Sequence, residues 1–280
     1  MDTLELKIDL SPKKPWSDIL IAELSELGFD SFVDTKQGIL AYGSADLDVD
    51  ELLSQTSIVL DDSVNYSTTQ KIIPHQNWNA VWEAEFHPVH VEEYATILAP
   101  FHSDDQAKGM KVRIQPQMSF GTGHHQTTWM MTKALFELDT MPMQVLDMGT
   151  GTGVLAIVAE NLGAERVLAI DIEDWSAENA LLNSNANNCK TIEVKCGDIE
   201  LVKDEFFGLI IANINKNILK GHLSFYAAHL EPGGVLLLSG FFITDVDEMV
   251  SCAEENGLML TKRFEKDEWA AIQLLKKIKK

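Results

Sequence analysis

From residue 144 onward the chain alternates short apolar runs with helical stretches, and that alternation leaves few folds open to it. Val145-Leu146, Val167 to Ile170, Ile192 to Val194, Leu209 to Ala212 and Val235 to Leu238 read as buried strands, with helices starting near Gly153, Ser176, Asn217 and Thr244. Strands joined by helices build a parallel sheet covered on both faces. The last two apolar runs, Leu258 to Phe264 and Trp269 to Leu275, are joined only by Glu265-Lys266-Asp267-Glu268, which predicts a hairpin that adds an antiparallel strand to that sheet.

The beginning of the chain follows a different pattern. Leu4, Leu6 and Ile8 alternate with Glu5, Lys7 and Asp9, the period of a half-buried strand. Pro15 suits a first helical turn, Ile19, Leu20, Ala22, Leu24 and Leu27 form an apolar face, and Gly28 is placed to end the helix. Phe29 to Val33 and Ile39 to Tyr42 flank a turn at 35–38, an acidic helix follows near Leu47 to Leu53, and a strand near Val64 to Ile72. This β-α-β-β-α-β order predicts a ferredoxin-like α+β domain over residues 1–73, a connector helix at 74–86 and the α/β domain at 87–280. Trp78 and Trp82 in the connector are spaced to share one helical face, which suits packing against a domain, with a hinge or substrate platform as the functional alternative. His87 and His90 read as structural, since no further ligand pattern accompanies them.

Hydrophobic residues make up 45% of the 280 positions, enough for ordinary cores. Lys and Arg number 22 against 43 Asp and Glu, a net charge of -21. Such acidity argues against nucleic acid or an anionic membrane as a direct partner and suits a basic macromolecule, although many acidic proteins are so for solubility alone. Cys189, Cys196 and Cys252 form no C-x-x-C pair, so a disulfide framework or zinc site is not expected and a reducing cytoplasm fits. The acidic N-terminus lacks signal-peptide character and the longest apolar run, near Gly234 to Ile243, is too short for a membrane span, so a soluble cytoplasmic protein is expected.

The chemistry is concentrated in four segments. Asp147-Met148-Gly149-Thr150-Gly151-Thr152-Gly153 links a strand to a helix, so the backbone at Gly149 and Gly151 can approach a ligand that faces the helix amides. Gly151-x-Gly153-x-x-Ala156 also satisfies a dinucleotide fingerprint, which keeps an NAD-linked oxidoreductase in view. Asp171 ends the next strand, 22 positions after Gly149, where a carboxylate can accept both hydroxyls of a ribose; its alternative is a helix cap, a role that fits Glu173 better. Phe120-Gly121-Thr122-Gly123-His124-His125-Gln126-Thr127-Thr128 precedes the sheet and can fold over a cofactor, with Thr128 in the first turn of the next helix. His124 and His125 have no acid or Cys at ligand spacing, so no metal is expected. Asn213 is delivered by a buried strand to the carboxyl edge, where α/β sheets bind ligands.

Together these segments resemble the class I S-adenosylmethionine-dependent methyltransferases, a Rossmann-like fold with a seven-stranded, mostly parallel sheet, and more narrowly the ribosomal protein L11 methyltransferase family (PrmA). The resemblance covers nearly the whole chain, and the 120–128 segment followed by the 147–153 loop carries its specificity. It implies S-adenosylmethionine contacts at Thr128, Gly149, Asp171 and Asn213, with Gly151 in the same loop. It also implies that the N-terminal domain holds ribosomal protein L11 while lysine side chains and the N-terminal amine are methylated, up to the trimethyl state. Gln115-Pro116-Gln117, Gly208 and Glu173-Asp174 depart from the family pattern without removing a cofactor contact.

A sulfonium methyl is already activated, so an amine held about 3 Å away can displace it in line without a nucleophilic residue. Asn213 is the expected catalytic residue, its carbonyl or side chain orienting the neutral amine while water takes the proton. A monomer is expected, because one domain must swing over the other. The alternatives are methylation of another basic protein, an NAD-linked oxidoreductase and a non-catalytic adaptor that binds ribosomal proteins.

Overall fold

Alternation in the first strand, β1 (Thr3–Ser11), sets up the N-terminal part: Leu4, Leu6, Ile8 and Leu10 are buried and the residues between them are not. In this computed structural model, which describes residues 2–75, 78–117 and 119–278, the chain separates into two compact units, Met1–Glu85 and Phe86–Lys280. The first continues with α1 (Trp16–Glu26), β2 (Phe29–Asp34), β3 (Gly38–Ser44), α2 (Val49–Leu53), α3 (Ser57–Leu60), β4 (Asn65–Ile73) and α4 (Trp78–Glu85). Its sheet runs β2-β3-β1-β4 with every pairing antiparallel, the ferredoxin-like order expected from the sequence. Leu20 and Leu24 of α1, Val49 and Leu53 of α2 and Ile58 of α3 bury one face of β1 and β3.

The acidic helix expected near Leu47 to Leu53 is α2, and a second short helix that was not expected, α3, follows it. Between them the Ser54 hydroxyl donates to the Glu51 carbonyl at 2.6 Å and the Thr56 hydroxyl to the Leu53 carbonyl at 2.7 Å. Hydroxyls that take up helix carbonyls compete with the helical ladder and separate α2 from α3. The shared face expected of Trp78 and Trp82 rests on the Trp78 side chain, which lies outside the described residues, as does Asn77; Trp82 is 46% exposed.

The second unit opens with a small sheet that periodicity did not reveal, since its strands have only three or four residues: β5 (Val89–Val91), β6 (Ala95–Leu98) and β7 (Met110–Arg113). After α5 (Gln126–Phe136) the alternation begins: β8 (Gln144–Met148), α6 (Val154–Asn161), β9 (Arg166–Asp171), α7 (Asp174–Ala186), β10 (Ile192–Cys196), β11 (Phe207–Asn213), α8 (Lys216–His229), β12 (Leu230–Phe242), α9 (Val246–Glu255), β13 (Leu258–Lys266) and β14 (Trp269–Lys276). The sheet order is β10-β9-β8-β11-β12-β14-β13, parallel except for β14, which runs antiparallel to both neighbours. A dinucleotide-binding sheet of order 3-2-1-4-5-6 is parallel throughout, so the inserted β14 separates the two architectures.

The pleat sorts side chains between two layers. Val145, Ala169, Leu209, Ile211 and Leu237 face α5 and α6, whereas Leu146, Leu168, Ile170, Ile210 and Leu238 face α8 and α9. Both faces are therefore apolar, and the polar business of the sheet is confined to its rims. The strand order reverses between β8 and β11, and the crevice at that point opens at the carboxyl rim.

Candidate active site

The loop between β8 and α6 is anchored on three sides. The Gly149 and Thr150 amides donate to the Ile170 carbonyl at 2.8 and 3.0 Å, which ties the loop to the end of β9. Thr150 Oγ1 donates to Asp147 Oδ2 at 2.7 Å. From the third side the segment expected to fold over a cofactor is latched onto the loop: the Thr152 amide donates to the Phe120 carbonyl at 2.9 Å and Thr152 Oγ1 to the Gly121 carbonyl at 2.7 Å. Gly151 sits at φ 56° and a Cβ there would stand 2.2 Å from the Phe120 oxygen, so both its backbone conformation and this close approach require glycine.

Asp171 occupies the strand end, not a cap. Its Oδ2 accepts from the Gly151 amide at 2.8 Å and its Oδ1 from the Glu173 amide at 3.1 Å, and each oxygen keeps a further lone pair. Glu173 stands at the cap position of α7, but its side chain makes no cap hydrogen bond. Asp147 is buried, and burial pushes its carboxyl up to about 7; the Thr150 hydrogen bond opposes that rise and the charge of Asp171 adds to it.

A cavity of about 500 Å³ lies along this rim. Gly149, Gly151, Asp171 and Asn213 all line it, so the structure brings four of the five expected residues together. Thr128 is the exception: it is buried in the first turn of α5, does not line the cavity, and its hydroxyl has no partner among the described residues. Thr127 lines the cavity instead, because successive helical residues point about 100° apart and only one of the two can face the loop. Asn213 Oδ1 is buried and has no hydrogen-bond partner among the described residues. An orphaned acceptor in a cavity wall fits a ligand that brings a donor or a cation.

Sequence reasoning missed further lining groups: Gly197 and Asp198 just past β10, Ile214 and Asn215 after β11, His222 on α8 and Trp269 at the start of β14. The signal for Asp198 was available, since Gly-Asp shortly after the predicted strand Ile192 to Val194 marks another strand end at the same rim. The roles of the two adjacent histidines separate cleanly. His124 Nε2 donates to the His87 carbonyl at 2.9 Å and its ring packs 4.3 Å from that of Phe86. His125 lines the cavity and caps α5, its Nδ1 accepting from the Thr127 amide at 3.2 Å. Burial holds the His125 imidazole below its usual pKa, so the neutral ring is favoured. No group of three or more His, Cys, Asp or Glu among the described residues is placed to hold a metal ion.

Comparison with known proteins agrees with this geometry. Residues 20–277 match the family model described as ribosomal protein L11 methyltransferase (PrmA). The ribosomal protein L11 methyltransferase of Porphyromonas gingivalis is 42% identical over 262 residues, which cover 91% of this chain and 89% of that protein. The ribosomal protein L11 methyltransferase of Phocaeicola vulgatus is 40% identical over 266 residues, covering 93% and 94%. Among solved structures, ribosomal protein L11 methylase from Lactobacillus delbrueckii subsp. bulgaricus superposes with a TM-score of 0.63 at 27% identity, covering 69% of this chain and all of that one.

Proposed function

The chain belongs to the ribosomal protein L11 methyltransferase family, and from that premise we propose that it methylates lysine side chains and the N-terminal amine of ribosomal protein L11. It is an S-adenosylmethionine-dependent methyltransferase. The observation that carries the site assignment is the cavity wall itself, where Gly149, Gly151 and Asp171 meet the amide oxygen of Asn213, which has no hydrogen-bond partner among the described residues. These residues would hold the cofactor, with Asp171 taking ribose hydroxyls on its free lone pairs and Thr127 standing where Thr128 was expected. S-adenosylmethionine supplies a sulfonium-activated methyl group that an amine can accept as the carbon–sulfur bond breaks.

The chain's own work is positioning and desolvation. A lysine ammonium with a pKa near 10.4 must lose a proton, at a cost of about 4 to 5 kcal/mol at pH 7. A cavity with apolar walls such as Met148, Ile170, Ile214 and Ile218 lowers that cost by disfavouring the charged form. Asn213 then orients the neutral amine through its side-chain oxygen or backbone carbonyl, and the proton leaves to water. No residue needs to form a covalent intermediate.

The N-terminal unit is the substrate-binding part of the proposal. Residues 1–85 carry 16 Asp and Glu against 5 Lys, a net -11 of the chain's -21, in less than a third of its length. Ribosomal proteins are basic, and opposite charge steers their encounter. A cytoplasmic monomer that binds no nucleic acid directly completes the reading; no helix among the described residues is long and apolar enough to cross a membrane. Incubation with labelled S-adenosylmethionine and unmethylated L11 tests it. Label is expected in L11 amines, and label in another basic protein or in none would redirect the substrate.

A further inference from the structure

Three rings share one wall of the cavity. Phe120 and His125 have centroids 5.0 Å apart with planes at 59°, and His125 and Trp269 stand 4.6 Å apart at 70°. Rings set this steeply make a corner, not a flat stack. Strand direction brings the third ring in: β14 is antiparallel, so its first residue emerges at the rim where the parallel strands end. Asn213 pairs with Ser239 and Ser239 with Ala271, two residues from Trp269. Phe242 backs Trp269 at 4.4 Å.

An apolar wall needs no aromatic rings, whereas a cation gains from them, because ring faces carry the negative end of a quadrupole and attract charge within about 6 Å. The middle ring, His125, adds no positive charge in its neutral form, since its Nδ1 serves as an acceptor. Asp171 and Asp198 line the same cavity, while Lys266, which pairs with Trp269 across the β13–β14 hairpin, has its ammonium over the Trp129 ring at 4.6 Å and does not line the cavity. The electrostatics of the corner therefore favour a cation.

We propose that Phe120, His125 and Trp269 form a subsite that holds a methylated amine as its ammonium between transfers; the nitrogen accepts a further methyl only after it leaves these rings and loses its proton to water. The proposal rests on the amine-methylation reading above and deepens it. Each added methyl replaces a hydrated N–H with apolar surface, so affinity at an aromatic corner rises with methylation, the reverse of a site built on hydrogen bonds.

The test uses the full chain. Ligand-observed NMR titration with tetramethylammonium chloride at constant ionic strength, with tert-butanol as the neutral compound of similar bulk, should show saturable binding of the cation alone. Trp269→Leu should weaken it about three- to tenfold, whereas Trp269→Phe, which keeps a ring, should retain most of it. Equal binding to wild type and Trp269→Leu, with melting temperatures showing both folded, overturns the subsite. With L11 as substrate, Trp269→Leu should lower the ratio of di- and trimethyl to monomethyl product; an unchanged ratio also overturns it. If wild type adds no label to L11, the substrate reading fails instead, and the cation titration still decides the subsite.

Discussion

The carboxylate of Asp171, at the end of β9, accepts a hydrogen bond from the amide of Gly151 at 2.8 Å. The acid expected to grip a ribose is thus also the brace of the loop that approaches the ligand. The Glu173 amide occupies its other oxygen. Asp171→Asn can satisfy only one of the two amides and turns an NH₂ toward the other. Hydrogen bonds to a charged group contribute about 1.5–3 kcal/mol, so S-adenosylmethionine affinity should fall about 10- to 100-fold by calorimetry, with a lower melting temperature. Wild-type affinity in this variant would remove Asp171 from the site.

Gly151→Ala and Gly163→Ala make a controlled pair. Both positions have positive φ, 56° and 111°, but a Cβ at 151 meets the Phe120 carbonyl at 2.2 Å whereas nothing lies within 4 Å at 163. Backbone strain costs each about 1–3 kcal/mol, and forced displacement adds about as much again at 151 alone. Chemical denaturation should show Gly151→Ala as the less stable, and equal losses would mean that the latch between the loop and Phe120 yields freely.

Stability should depend on pH through Asp147. Its folded-state pKa is raised to about 7 from an ordinary 3.8, so between those values the folded form holds a proton that the unfolded form has lost. Stability from this group is therefore lost as pH rises through that window and levels off above it, with a slope of at most about 1.4 kcal/mol per pH unit. Asp147→Asn keeps an oxygen for the Thr150 hydroxyl and carries no charge. Urea midpoints from pH 5 to 8 should show wild type falling relative to Asp147→Asn up to about pH 7, and parallel curves would contradict the assigned protonation.

Asn213→Ala separates catalysis from folding. Because Asn213 Oδ1 has no partner among the described residues, its loss should leave the melting temperature of the free protein unchanged or slightly higher. Turnover should fall at least about tenfold, and more than cofactor affinity falls, since the group acts on the amine. Activity equal to wild type would reject the assignment.

Much of the fold was legible because hydrophobic periodicity is a local property. Leu4, Leu6 and Ile8 announce a one-sided strand, Leu209 to Ala212 a strand buried on both faces, and the four-residue link at 265–268 a hairpin. The 147–153 loop likewise marked Gly149 and Gly151, and the ends of predicted strands marked Asp171 and Asn213. Composition argued against partners that need a basic surface.

Only the tertiary structure decided what depends on direction and neighbours. Thr127 and Thr128 are indistinguishable in composition, and the helix phase alone turns one to the cavity and buries the other. Trp269 lies 56 positions from Asn213, and the antiparallel sense of β14 places it at the same rim. The raised carboxyl of Asp147 exists only because packing has removed its water. Sequence specifies which residues prefer burial and how often they recur; which of them meet is set by sheet order and strand sense, which no short window of the chain contains.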